Sequence, residues 1–244
     1  MDFANVLFGG PCNRRCPYCI GELLPDRVNV DNRDVFPPAG IDRFVDEVNA
    51  RGIREIVFTG TTTDPQLYRH EVPLLELLRS RISGARYSVH TNGAVALQKI
   101  DVFNRYDRAC ISLPSFDPEI YARHMGSRQV PDVARILERA RIPVKISCVL
   151  DADNARDLER FLSRCRALGV RRVVLRRQFG DTRTWEVPLR QTGTYRGNPV
   201  YDHDGVEVTY WDFDATTSTS LNLFADGSLG EEYLLVRSAS RAAV

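Results

Sequence analysis

The 244-residue chain carries 33 Lys and Arg against 32 Asp and Glu, a formal net charge of +1, so bulk electrostatics advertise neither nucleic acid nor an anionic membrane as a partner. At this length it makes one large domain or two small ones and can bury a core without disulfide staples. No apolar run approaches membrane-spanning length, and the first residues lack a basic segment leading into an apolar one, which gives the expectation of a cytoplasmic protein with no membrane partner.

Residues 2–8 read as a short buried strand that stops at Gly9-Gly10. Directly after it come Cys12, Cys16 and Cys19 in the spacing C-x₃-C-x₂-C, which uses three of the six cysteines. Thiolates this close in a loop can converge on one soft metal centre, and cysteine is the ligand of iron–sulfur clusters. A [4Fe–4S] cluster takes four thiolates, so three would leave one iron open to an external ligand. A three-cysteine zinc site completed by His70, His90, His124 or His203, or a disulfide pair with a spare thiol, would use the same residues. Clustered reduced cysteines agree with a reducing compartment.

Residues 27–38 read as an irregular connection, and apolar residues at three and four spacings predict a helix over 41–48, stopped by Gly52. A second strand over 55–60 runs into the hydroxyl-rich turn Thr61-Thr62-Thr63-Asp64-Pro65 and a helix around 74–78. In this turn Asp before Pro is also an ordinary helix N-terminal signal. A third strand over 87–91 enters Asn92-Gly93, and a fourth over 108–113 enters Pro114-Ser115-Phe116-Asp117-Pro118-Glu119, where Asp117 reads as a helix cap. A helix over 130–140 precedes a fifth strand over 144–150; Asn154 is expected to cap a helix over 158–165. The sixth strand, 172–175, delivers Arg176, Arg177 and Gln178 to its carboxyl end. Cys110, Cys148 and Cys165 fall inside apolar patterns and read as buried structural thiols.

Six strands alternating with helices predict a parallel, partial (β/α)₆ barrel over residues 1–178. Residues 179–244 change texture: strands over 206–211 and 220–224, an Asp226-Gly227 hairpin signal and a strand over 233–236 predict a small antiparallel β-rich C-terminal cap. Arg183, Arg190, Tyr201, His203 and Trp211 are its candidate substrate contacts.

The cysteine loop, with aromatic Tyr18 just before the last cysteine, resembles that of the radical S-adenosylmethionine (radical SAM) enzymes. The resemblance extends over about residues 3–178. It implies a [4Fe–4S] cluster on Cys12, Cys16 and Cys19 whose open iron chelates the amino and carboxylate groups of S-adenosylmethionine, with Tyr18 near the adenine. An electron from an external flavodoxin- or ferredoxin-type reductant would then cleave the sulfonium to a 5′-deoxyadenosyl radical. The family's Gly-Gly-Glu-Pro type motif is answered here by Thr59-Gly60-Thr61-Thr62-Thr63-Asp64-Pro65, which keeps a Gly and an acid-Pro pair and puts Gly60, Thr61, Thr62, Thr63 and Asp64 toward the methionine amino group. Thr91 and Asn92 match a Thr-Asn-Gly strand end of the family. Ser112 begins its Ser followed by Ser-x-Asp-Pro-Glu segment. Ser112 is thereby expected at the cofactor's carboxylate or ribose; Ser147, Arg176 and Gln178, by their place at the carboxyl strand ends, are further cofactor candidates, with Arg177 on the substrate side.

Three functions compete: an enzyme that abstracts hydrogen, an iron–sulfur electron-transfer or carrier protein, and a zinc-stabilised binding module. A six-unit barrel with hydroxyl-rich strand ends favours the enzyme. Within the resembled family, peptide-modifying and molybdopterin-precursor enzymes typically add cysteines after the barrel, and no cysteine follows Cys165. A small-molecule substrate undergoing rearrangement, elimination or oxidation is therefore expected, with glycyl-radical activation or peptide modification as alternatives.

Overall fold

The computed structural model describes residues 1–232; the strand expected over 233–236 lies outside the described residues. In chain order the elements are β1 (Phe3–Phe8), α1 (Ile41–Ala50), β2 (Glu55–Gly60), α2 (Glu71–Arg81), β3 (Arg86–Thr91), α3 (Ile100–Phe103), β4 (Arg108–Ser112), α4 (Pro118–Met125) and α5 (Val133–Arg139). They continue with β5 (Val144–Leu150), α6 (Leu158–Ala167), β6 (Arg172–Arg177), β7 (Arg190–Tyr195), β8 (Asn198–His203), β9 (Val206–Trp211), β10 (Ser220–Leu223) and β11 (Leu229–Gly230). This is a mixed α/β fold with parallel strands at its core and an open sheet, as expected of a partial barrel. The chain divides into two compact units: Met1–Asn13 with Cys19–His90 and the residues from Thr219 on, and Arg14–Tyr18 with Thr91–Ser218.

In the first unit β2 pairs in parallel with both β1 and β3, and β10 adds in parallel to the free side of β1. The helices follow the predicted periodicity. Helix α1 buries Ile41, Phe44, Val45 and Val48, one face at spacings of three and four, and Gly52 ends it at φ 65°, in the left-handed region. Hairpin β10–β11 turns at Asp226-Gly227, where Gly227 takes φ 86°. Strand β1 holds one polar residue in its buried interior: Asn5, whose Nδ2 donates to Asn222 Oδ1 at 2.7 Å across the β1–β10 pair, with Asn222 fully buried. Asn5→Ala is expected to lower stability by about 1–3 kcal/mol in urea unfolding, because the Asn222 carbonyl loses this donor in a dry interior.

In the second unit β4, β5 and β6 are mutually parallel. Helix α4 starts where Asp117 accepts the N–H groups of Glu119 and Ile120, contacts that hold its carboxyl below the usual range, and ends at Gly126 with φ 65°. Asn154 does not cap α6 as expected. Its side chain turns back instead, accepting Asp151 N–H at 2.9 Å and donating to Val149 O at 2.7 Å, so it closes the loop after β5. Cys110, Cys148 and Cys165 are buried free thiols. Burial raises the last two, Cys165 to about 12, so both stay protonated.

The segment after β6 is shared between the units. Strands β7, β8 and β9 form an antiparallel meander whose last member pairs in parallel with β6, while β10 belongs to the first unit. The meander turns at Arg196-Gly197 and Asp204-Gly205, pairs with both residues at positive φ, the geometry that matches strand twist in two-residue hairpins.

Candidate functional site

Strand β1 ends at Gly9, and the chain enters the cysteine loop through a backbone held by side chains of the first unit. Gly9 N–H donates to Asn32 Oδ1 at 3.0 Å, with Asn32 itself buried. Gly10, at φ 123°, donates to Thr62 Oγ1 at 3.1 Å, and a Cβ there would meet Asp31 Oδ1 at 2.4 Å. Pro11 O accepts the Thr63 hydroxyl at 2.6 Å. The Thr61 hydroxyl donates to Phe8 O at 3.1 Å, and Thr61 O faces Cys19 Sγ at 3.5 Å. The three threonines of the turn after β2 are thus the scaffold of the cysteine loop. Gly60 makes that turn possible, since a Cβ on it would lie 1.5 Å from Thr63 O; Gly21 lets the chain after Cys19 pass Thr61, where a Cβ would lie 2.2 Å from its carbonyl oxygen. Asp64 caps the next short turn by accepting Gln66 N–H at 2.9 Å. Burial raises the Cys19 thiol, an effect opposed by the N–H groups of Gly21 and Glu22 that point at the sulfur.

The middle of the loop, Arg14–Tyr18, belongs to the second unit and rests on the end of α4. Arg15 N–H donates to Met125 O at 3.0 Å, and Arg14 reaches Tyr121 Oη and Gln129 O at 3.3 and 3.1 Å. Burial pushes the half-buried Tyr18 hydroxyl well above the usual phenol range, so it stays protonated.

The other sequence candidates of this unit divide into groups. Thr91 Oγ1 and Asn92 Oδ1 accept the N–H groups of Gly93 and Ala94 and shape the turn after β3. Ser112 is exposed at the end of β4. Ser147, Arg176 and Trp211 come together: Arg176 Nε donates to Ser147 Oγ at 2.9 Å, and its guanidinium lies 5.9 Å from the Trp211 ring. Because β9 runs parallel to β6, Arg176 and Trp211 are register partners at the same carboxyl edge. The buried indole Nε1 of Trp211 has no hydrogen-bond partner among the described residues, a donor pointing at no protein acceptor. Gln178 is half-buried beyond the end of β6. Arg177 is engaged by Asp212 Oδ1 at 2.7 Å, by Asp214 and by Asp181 O. Arg183 pairs with Asp181 at 2.7 Å and covers Trp185. Arg190 opens β7 opposite Asp202, Tyr201 is half-buried on β8, and buried His203 has Nε2 3.9 Å from Glu159 Oε1.

All six cysteines are free; the three of the loop are exposed or half-buried while the others are buried. That donor set suits a thiolate-bound iron–sulfur cluster. It suits zinc less well: among the described residues the side chains close enough to share one ion are His124, Asp151 and Asp153, and no histidine joins the loop cysteines at that distance. Asn32, Tyr121, His124 and Met125 were not legible as loop supports: they lie 13 or more positions away, in segments that carry only connection or helix signals.

These features define a parallel α/β protein with a loop of three free cysteines at the carboxyl end of its first strand. Residues 6–175 match the model of the Radical SAM superfamily, and the chain belongs to that superfamily. No curated protein matches the sequence. Among solved structures the chain resembles Streptococcus suis SuiB bound to precursor peptide SuiA, at 15% identity and TM-score 0.58, over 73% of this chain and 40% of that one. It also resembles anSMEcpe with bound AdoMet, at 17% identity and TM-score 0.56, over 80% of this chain and 53% of that one. Such identities express a shared fold, and the chain spans about half or less of each of these relatives. Membership of the superfamily implies an iron–sulfur cluster and S-adenosylmethionine as cofactors. No helix among the described residues is long and apolar enough to cross a membrane.

Proposed function

We propose that the chain is a radical SAM enzyme that holds one [4Fe–4S] cluster on Cys12, Cys16 and Cys19, binds S-adenosylmethionine at the cluster's open iron, and abstracts hydrogen from a small-molecule substrate. The observation that carries this reading is the set of three free cysteines in one loop after β1, one exposed and two half-buried, in a chain whose other cysteines are buried. When bound, the two cofactors supply hydrogen-atom abstraction by a radical cleaved reductively from S-adenosylmethionine, with the electron drawn from an external flavodoxin- or ferredoxin-type protein.

The chain's own residues bind, orient and exclude water. Tyr18 offers a ring beside the loop for the adenine. Gly60, Thr61, Thr62, Thr63 and Asp64 hold the loop's backbone in shape, so the turn after β2 approaches the methionine end chiefly through main-chain groups. Thr91, Asn92 and Ser112 end their strands at the carboxyl edge. Ser147 and Arg176 form a hydroxyl–guanidinium pair suited to a carboxylate or ribose, with Gln178 beside it. Trp211 adds an unpaired indole N–H and an apolar face next to that pair. Residues 179–244 are assigned to substrate selection, with Arg177, Arg183, Arg190, Tyr201 and His203 as further contacts, since radical chemistry needs its site kept dry. A small-molecule substrate accords with the lack of cysteine after Cys165. A peptide is the second reading, favoured by the fold likeness to SuiB, a protein solved with a precursor peptide.

Adding S-adenosylmethionine to the reduced, reconstituted protein is expected to change the cluster's electron paramagnetic resonance spectrum, and dithionite to release 5′-deoxyadenosine. A spectrum indifferent to the cofactor would mark an electron carrier instead. Tyr201→Phe is expected to reduce substrate turnover while sparing cluster content and substrate-free 5′-deoxyadenosine release; parallel loss of both activities in a folded variant would remove the assignment of residues 179–244.

A further inference from the structure

The last turn of α4 presents a set of side chains that the proposed function leaves without a role. Met125 Sδ lies 3.6 Å from Cys16 Sγ and 3.6 Å from the Tyr18 hydroxyl, so one thioether touches both the middle cysteine and the aromatic residue of the loop. A thioether is a weak acceptor and a polarizable packing group, able to keep both neighbours whether Cys16 is a thiol or a metal-bound thiolate. The next residue back, His124, is 2% exposed, and its ring meets Tyr18 edge to face, with centroids 5.6 Å apart and planes at 67°. Such contacts contribute about 0.5–1.5 kcal/mol beyond the area they bury.

What keeps His124 in place is equally defined. Its Nε2 lies 3.1 Å from Asp151 Oδ2 at ion-pair distance, outside hydrogen-bond alignment, and neither ring nitrogen has a hydrogen bond among the described residues. Asp151 is fixed in turn: its Oδ1 accepts the N–H groups of Asp153 and Asn154 at 2.8 and 3.2 Å, and Asn154 Nδ2 donates to Pro114 O at 3.2 Å. On the other side Arg15 lies against the helix end, where its N–H satisfies Met125 O, one of the carbonyls that a helix leaves unbonded. Gly126 allows this approach; a Cβ there would come within 2.8 Å of Arg15 O.

We propose that His124 and Met125 are positioning residues for the cysteine loop: Met125 seats Cys16 and the Tyr18 hydroxyl, and His124, steadied by Asp151, backs the Tyr18 ring. The loop's middle is then held by a rigid path from β5 through α4, independent of any ligand. The meaning of that placement for cofactor binding rests on the proposed function; the placement itself does not. His124, Asp151 and Asp153 also lie close enough for one cation, their ligand atoms within 4.8 Å of one another, but Asp153 is engaged by Arg123 at 2.5 Å.

The test has two arms. In metal-free protein, iodoacetamide labelling resolved by mass spectrometry is expected to modify Cys16 about threefold faster in Met125→Ala than in wild type, the size of one weak sulfur contact, with Cys12 and Cys19 unchanged. Met125→Leu, which keeps the volume and removes the sulfur, gives a smaller increase and decides the matter if the alanine variant does not fold. In reconstituted protein, His124→Ala is expected to keep its full iron content and weaken S-adenosylmethionine binding about fivefold, and His124→Phe, which keeps an aromatic edge against Tyr18, to restore it. Unchanged Cys16 labelling in both Met125 variants, or unchanged affinity in His124→Ala, would overturn the proposal. Stoichiometric Zn²⁺ uptake by the Cys12, Cys16, Cys19 triple alanine variant that is lost in His124→Phe would also overturn it, because His124 would then be a metal ligand. If wild-type protein loads no cluster or binds no S-adenosylmethionine, the proposed function fails, and the labelling arm still decides the positioning role.

Discussion

Replacing Cys12, Cys16 or Cys19 by alanine is expected to abolish the iron–sulfur cluster, with iron and sulfide falling to background after anaerobic reconstitution. The expectation follows from donor chemistry: with three thiolates present, losing one leaves two protein ligands for a cluster that ordinarily takes four. No other thiol can substitute. Cys110, Cys148 and Cys165 are buried within β4, β5 and α6, outside the loop. Their alanine variants are accordingly expected to keep full cluster content, with a stability loss as their only change. A triple variant of Cys12, Cys16 and Cys19 that kept a full cluster would end the proposed function.

The second large effect is expected at Gly60. An alanine Cβ there would lie 1.5 Å from Thr63 O, a contact with backbone that no rotamer relieves. The turn after β2 must move, and three hydroxyls move with it: Thr61 on Phe8 O, Thr62 on Gly10 N–H and Thr63 on Pro11 O. Gly60→Ala is therefore expected to destabilise the metal-free protein by on the order of 3 kcal/mol in urea unfolding and to lower cluster uptake. Gly193→Ala, at an exposed position of β7 where a Cβ meets nothing within 4 Å, should stay within about 0.5 kcal/mol of wild type. Equal stability of the two variants would show that the turn adapts, and that the threonine scaffold does not depend on Gly60.

The hydroxyl-rich turn shows how far a motif can be read. Its position after β2 matched a cofactor-binding segment of the resembled family, yet the hydrogen bonds of Thr61, Thr62 and Thr63 go to the backbone on either side of Gly9. Residue type and location were legible; the acceptors were not, since Phe8 and Pro11 lie about 50 positions away in sequence. Asp204-Gly205 is the reverse case. It carries the same hairpin signal as Asp226-Gly227 and turns β8 into β9; the strand after it was expected over 206–211, but the polar residues before it hid the alternation of β8. The β7–β8 turn uses Arg196-Gly197, where an arginine at φ 51° gives no such signal at all.

The sequence by itself determined the alternation of strands and helices from β1 to β6, the three-cysteine loop at the end of the first strand, the cap at Asp117, and the superfamily. All of these are local: periodicity, a spacing of a few residues, or one side chain reaching its own backbone. Only the tertiary structure decided that β9 runs parallel to β6 and brings Trp211 to Arg176, that β10 joins β1, and that α4 carries Met125 to Cys16. Strand direction and strand order depend on which edge of a sheet is free and on how the connecting chain can cross to it. A pattern that repeats every two residues is the same for either direction, so no local reading could distinguish them.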